Sequence, residues 1–122
     1  MNQYIDGFII PVSKDKIEAY KATATKAAAI WTDHGAHEYR ECVGEHLEVE
    51  DQIPFSTLAG AKPDETVVFA YVVFESREAR DEANKKIMED PRIEEMCEEA
   101  GRIFDCKRMA YGGFESIVHL KK

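Results

Sequence analysis

Between Val67 and Phe74 the chain reads VVFAYVVF, eight consecutive apolar or aromatic residues, four of them valine. A strand with one wet face alternates apolar with polar positions, so an unbroken β-branched and aromatic run predicts a strand covered on both faces, at the centre of its sheet. The other segments are arranged around it. Tyr4–Ile10 (YIDGFII) predicts a first strand, ending at Pro11, with another backbone packed closely over Gly7. Ser13 stands as N-cap to a helix whose apolar positions Ile17, Tyr20, Ala24, Ala27, Ala28 and Trp31 recur every three or four residues, and Gly35 offers a stop. His37–Val43 alternates in polarity, with His37, Tyr39, Glu41 and Val43 on one face, and predicts an edge strand.

From Gly44 to Glu65 no period is sustained. A connection of this length in a small domain is expected to be a lid, a binding loop or an arm, and Phe55 and Leu58 predict that it is anchored. After the central strand, Ser76 caps a helix carrying Ala79, Ala83, Ile87 and Met88 inward. Asp90-Pro91 ends it and opens a further helical turn striped by Ile93, Met96, Cys97 and Ala100 and stopped by Gly101. Lys107–Glu115 predicts the last strand, with Gly112-Gly113 marking a bulge or bend. The order is that of a ferredoxin-like βαββαβ domain of the α+β class: one unit spanning residues 1–122, an antiparallel sheet and both helices on one face.

That architecture leaves the other sheet face bare, yet both parities of the central strand are apolar. Exposing four such side chains would forgo several kcal/mol, a large share of a small domain's stability. A second copy packed sheet to sheet about a two-fold axis is therefore expected, with Ser116–Leu120 extending the partner's edge.

Four stretches, YIDGFIIPV, KAAAIWTDHGAHEYRECVG, AKPDETVVFAYVVFESREARDEANKKIM and DCKRMAYGGFE, together with their spacing over nearly the whole chain, resemble the YbaA-like bacterial family of unknown function, placed in the dimeric α/β-barrel superfamily. The resemblance implies a ferredoxin-like fold that pairs into such a barrel. It supplies no reaction. Members elsewhere in that superfamily include cofactor-independent monooxygenases of polycyclic phenols, haem-degrading enzymes and small proteins without known activity, and none of their catalytic motifs can be placed on residues here.

Composition narrows the partners. With 16 basic and 24 acidic residues the net charge is −8, which repels phosphate backbones and anionic lipid, so neither nucleic acid nor a membrane is expected. No apolar stretch approaches a membrane span, the N-terminal stretch has no secretory pattern, and three cysteines without a CxxC pair fit a reduced compartment; the expected location is the cytoplasm. His34 and His37, followed by Glu38, Glu41, Cys42 and His46, have poor metal spacing, since His34 closes a helix, His37 opens a strand and no second cluster supplies the remaining ligands. No metal is therefore assigned, and no motif calls for a cofactor.

The remaining chemistry rests on polar groups among apolar ones. Asp6 interrupts an apolar strand and needs a partner such as an arginine, either as an ion pair in the core or as the lining of a cavity. Tyr39 and Tyr71 are phenols on predicted strands, and Arg108 opens the last one. Asp6, Tyr39, Tyr71 and Arg108 are the candidate ligand-binding residues, with the Gly44–Glu65 connection as closure. Trp31 is assigned to the core. The functional expectation is a homodimer binding a small organic ligand. The alternatives are cofactor-free oxidation of an aromatic metabolite and a non-catalytic dimeric module.

Overall fold

The computed structural model describes residues 2–122. Its strands are β1 (Tyr4–Ser13), β2 (Glu38–Val43), β3 (Glu65–Phe74) and β4 (Ala110–Glu115). Its helices are α1 (Ile17–Asp33), α2 (Phe55–Ala59), α3 (Arg77–Glu89) and α4 (Ile93–Ile103). Short 3-10 turns at Lys14–Lys16 and Cys106–Arg108 lead into α1 and β4. The strands form one sheet in the order β2-β3-β1-β4, every neighbouring pair antiparallel. This is the ferredoxin-like α+β arrangement expected from the element order. The apolar run of β3 is central, as its pattern requires.

The register sorts the side chains. Val68, Ala70, Val72 and Phe74 of β3 lie beside Ile10, Phe8, Asp6 and Tyr4 of β1 and beside Val43, Glu41 and Tyr39 of β2. This face packs on the helices: Val72 and Phe74 join Ala27 and Ile30 of α1, Ala83 and Ile87 of α3, and Ile93 and Met96 of α4 in one core. Ile10, Val12 and Val68 meet Tyr20 in a second cluster at the start of α1. Ser76 caps α3 through its hydroxyl, which accepts from the Ala79 amide at 3.1 Å.

Several local expectations are corrected. β1 runs through Pro11 to Ser13, because β4 pairs only as far as Ile9 and no ladder on that side needs the missing proline amide. Ser13 donates to Asp15 at 2.6 Å and does not cap α1. Gly101 lies inside α4, a full helix where a short turn was expected, since Ile103 beyond the predicted stop packs on the cluster of Ile10, Val12 and Val68. Gly112 and Gly113 keep β4 in unbroken register with β1, with neither bulge nor bend. These glycines make room for rings. A Cβ on Gly113 would stand 2.5 Å from the Tyr4 hydroxyl, and one on Gly7 would stand 3.3 Å from the Phe114 ring, so an aromatic ring and not a backbone covers Gly7.

The opposite sheet face, free of the long helices, carries Ile5, Ile9, Val67, Phe69, Tyr71, Val73 and Phe114. The Gly44–Glu65 connection lies on this side. Phe55 of α2 sets its ring edge-on to Phe69 at 6.3 Å, and Val67 is buried. Phe69 stays 45% exposed and Phe114 61%. Past β4, Ile117, Val118 and Leu120 are exposed. Among the described residues, no helix is long and apolar enough to cross a membrane.

Candidate ligand-binding site

Strand β2 is two-faced, and its inner face builds the site. Tyr39, Glu41 and Val43 point toward α1, opposite Val72, Ala70 and Val68. From above, α1 supplies Tyr20, Ala24, Ala27 and Trp31, spaced as one helical stripe. The third wall comes from Met96, Cys97 and Ala100 of α4, then Phe104, Cys106 and Met109. Together they line a half-open cavity of 220 Å³ that Phe8, Ile10 and Ala70 floor. Small alanines on both helices leave this space where larger side chains would close it.

The wall is apolar apart from the Thr23 hydroxyl and one carboxylate, Glu41, clasped by two phenols. Tyr20 donates to Oε1 in a short hydrogen bond and Tyr39 donates to Oε2 at 2.7 Å. Burial first, then the Glu41 charge they bond to, pushes both phenols far above the usual tyrosine range, so they stay protonated donors. Trp31 packs edge-on to Tyr39 at 6.2 Å and thus lines the cavity as well as abutting the core. Outside, an open groove of 480 Å³ runs between α1 and β2, bordered by Ile17, Lys21, Thr25 and Cys42. Tyr20, Ala24, Tyr39 and Glu41 line both spaces, so Glu41 stands where groove meets cavity.

The four residues singled out in the sequence do not meet. Tyr39 lies in this cavity. Asp6, on the same face but at the β1–β4 side, is 1% exposed, with Arg80 of α3 offering Nη1 at 3.5 Å and Oδ1 making no hydrogen bond. Arg80 also donates to Tyr111 at 2.9 Å and to Tyr4 at 3.3 Å, and its guanidinium lies 4.8 Å from the Tyr4 ring centre. Burial raises the Asp6 carboxyl above its ordinary range, against the pull of Arg80. Tyr71 points to the helix-free face, donating to Glu38 at 2.9 Å with Arg40 6.0 Å from its ring centre. Arg108 clamps the connection: it donates to both Glu65 oxygens and to the Gly60 carbonyl, each at 2.8 Å. That clamp, helped by the Lys62 amide and opposed by burial, holds Glu65 down at about 2.

Glu41 and Arg80 were not among the candidate ligand-binding residues read from the sequence, though each left a signal. Glu41 is a charge at an inward position of an alternating strand, between Tyr39 and Val43. Arg80 continues the Ala83–Ile87 stripe backward by one turn, where an apolar residue would be expected.

A larger hollow of 510 Å³ lies between Lys14 and the Gly44–Glu65 connection; of its walls, Glu48 accepts from Ser56 and Glu65 is held by Arg108 from outside it. The connection contributes nothing to the cavity under α1, so its expected role as closure does not apply there. Among the described residues, no group of three or more His, Cys, Asp or Glu is placed to hold a metal ion.

The family described as Protein of unknown function (DUF1428) matches residues 3–106. The chain belongs to the DUF1428 family. An uncharacterized protein of the bacterium Escherichia coli (strain K12), YbaA, is 41% identical to this DUF1428 protein over 116 residues, 95% of this chain and 97% of that one. Among solved structures, a dimeric ferredoxin-like protein from an uncultured marine organism superposes with a TM-score of 0.65 at 9% identity, covering 98% of this chain and all of the other. A variant of SnoaB, a cofactor-independent oxygenase from Streptomyces nogalater, gives 0.62 at 12% identity over the full length of both chains. An uncharacterized NIPSNAP domain protein from Burkholderia xenovorans gives 0.63 at 9% identity, covering 98% of this chain and 99% of that one. At such identities these likenesses speak for the fold alone.

Proposed function

We infer that this DUF1428 protein is a homodimer, each protomer binding one small organic ligand in the cavity under α1. The carrying observation is the Glu41 carboxylate, fixed by Tyr20 and Tyr39 at the mouth of an otherwise apolar space. A few placed polar groups in an apolar concavity are the usual make-up of a ligand site. Of the sequence candidates, Tyr39 orients the carboxylate, and Tyr71 lines the space between two facing sheets. Asp6 and Arg108 hold the frame.

The dimer reading rests on Phe69 and Phe114, exposed on a continuous apolar face beside Ile5, Ile9 and Val73. Covering such a patch with its own copy closes the two sheets into a barrel and buries Phe55 along its rim. Two dimeric ferredoxin-like proteins from an uncultured marine organism are among the structural neighbours, in keeping with this reading.

Native mass spectrometry of the protein as purified tests both parts. A dimer carrying one added mass per protomer supports them, and a dimer with no adduct after soaking in small aromatic compounds favours the non-catalytic module. A monomer at micromolar concentration removes the sheet-to-sheet pairing. Glu41 also favours a second reading, oxidation without a cofactor as in the oxygenase SnoaB, with the carboxylate as base toward an electron-rich phenol. Oxygen uptake with phenolic substrates that disappears in Glu41→Gln would support it.

A further inference from the structure

The buried and half-buried acids of this protein are matched with cations, with one exception. Asp6 faces Arg80 at 3.5 Å, Glu65 faces Arg108 at 2.8 Å, Asp90 faces Arg92 at 2.8 Å and Glu99 faces Lys26 at 2.7 Å. Among the described residues, Glu41 has no cation within salt-bridge distance, and Lys21 in the adjoining groove does not reach it. No lysine, arginine or histidine lines the cavity. Its two phenol donors are neutral. They hold the carboxylate in place and leave its charge uncompensated, and each of its oxygens keeps a second lone pair for another donor.

We propose that the missing countercharge belongs to the ligand: an apolar amine, protonated at neutral pH, whose ammonium pairs with Glu41 while its body fills the cavity among Trp31, Phe104 and Met96. This rests on the reading of the cavity as a ligand site and specifies its occupant. The chemistry of the walls agrees. Trp31, Tyr39 and Phe104 put aromatic rings around the space, and aromatic rings attract a cation that has shed its water. A fixed carboxylate repels an anion, and the net charge of −8 draws cations toward the protein and keeps anions away. A neutral phenol would add a third hydroxyl where two already stand and would leave the charge as it was. The cavity's 220 Å³ equals the liquid volume of about seven waters, enough for one ring with a short side chain. A longer amine would trail into the groove past Glu41.

Three probes of similar shape decide the matter: 2-phenylethylamine, 2-phenylethanol and 3-phenylpropionate, titrated at pH 7 by calorimetry, with the site located from NMR shift changes. The amine should bind about tenfold or more tightly than the alcohol, and the acid should bind most weakly. Shifts should concentrate at Tyr39, Ala70 and Met96. In Glu41→Gln the advantage of the amine over the alcohol should vanish while the alcohol's affinity is retained. If that variant does not fold, the three-probe comparison on the unaltered protein still gives the answer. An amine no tighter than the alcohol overturns the charge assignment and leaves the cavity as a site for neutral ligands. Shifts centred on Phe69 and Tyr71 place the site between the sheets and overturn the assignment to Glu41. Failure of all three probes to bind overturns this inference and the cavity reading together.

Discussion

Replacing Tyr20 and Tyr39 by phenylalanine tests the clasp on Glu41 with little disturbance of packing. The Tyr20 ring keeps its contact with Phe104, at 5.6 Å between centroids, and the Tyr39 ring keeps its edge against Trp31. Only hydroxyls are lost. A hydrogen bond to a charged acceptor contributes about 1.5–3 kcal/mol. Because Glu41 also borders the open groove, water can replace a lost donor, so each substitution should cost near the lower end, about 1.5 kcal/mol at pH 8. The pH dependence is the sharper signature. In the unfolded chain both phenols ionise near pH 10. In the folded protein burial and Glu41 raise them well beyond that. A raised folded value means stability fully present below about pH 10 and lost above it, since the unfolded chain then releases protons that the folded one retains. The limiting slope is about 1.4 kcal/mol per pH unit for each tyrosine. Between pH 8 and pH 11 the unaltered protein should therefore lose up to about 2.7 kcal/mol more than the double variant, whose deficit at pH 8 should nearly close. Urea denaturation at the two pH values measures this. Parallel losses in the two proteins would refute the clasp as described.

Arg80→Met leaves the Asp6 carboxylate buried without its cation and should cost about 3–5 kcal/mol at pH 7 in urea denaturation. Burial already raises Asp6, and removing Arg80 raises it further, so part of that cost should be regained as the pH falls toward 5 and Asp6 takes up a proton; equal deficits at both pH values would contradict this. Arg108→Ala should release Glu65 from about 2 toward the ordinary glutamate range, as read by NMR titration, and should open residues 60–65 to limited proteolysis. In the unaltered protein Glu65's contribution is present above its ordinary range and is lost as the pH falls through about 2.

The fold was written in patterns that need no partner to interpret. Val67–Phe74 declared the central strand, and the stripes Tyr20–Ala24–Ala27–Trp31 and Ala83–Ile87 declared which helix faces turn inward, although Met88, expected inward beside Ile87, is exposed. Gly101 misled because a glycine stop is a local signal, whereas α4 gains from packing Ile103, past the glycine, on the Ile10–Val68 cluster. Gly112-Gly113 misled for the converse reason: the pair answers to the Tyr4 and Phe114 rings, one on each sheet face, and not to any turn.

The site was harder, since it depends on register. Asp6, Tyr39 and Tyr71 could be assigned to faces only once the pairings Asp6↔Val72, Tyr39↔Val72 and Arg40↔Tyr71 were known, and a slip of one residue exchanges the faces. Arg108 meets Glu65 across 43 residues of chain, a contact no local pattern announces.

Glu41 has one more consequence, for the protein's life among many copies of itself. Strand β2 is an edge of the sheet, and its outer side carries free backbone donors and acceptors that any passing strand could pair with. With leucine at position 41 the inner side would read Tyr, Leu, Val, a continuous sticky ribbon. A charge pointing inward from an edge strand makes addition of a further strand costly, because the newcomer would have to bury it. The carboxylate that leaves the cavity with an unanswered charge thereby also guards the sheet against aggregation.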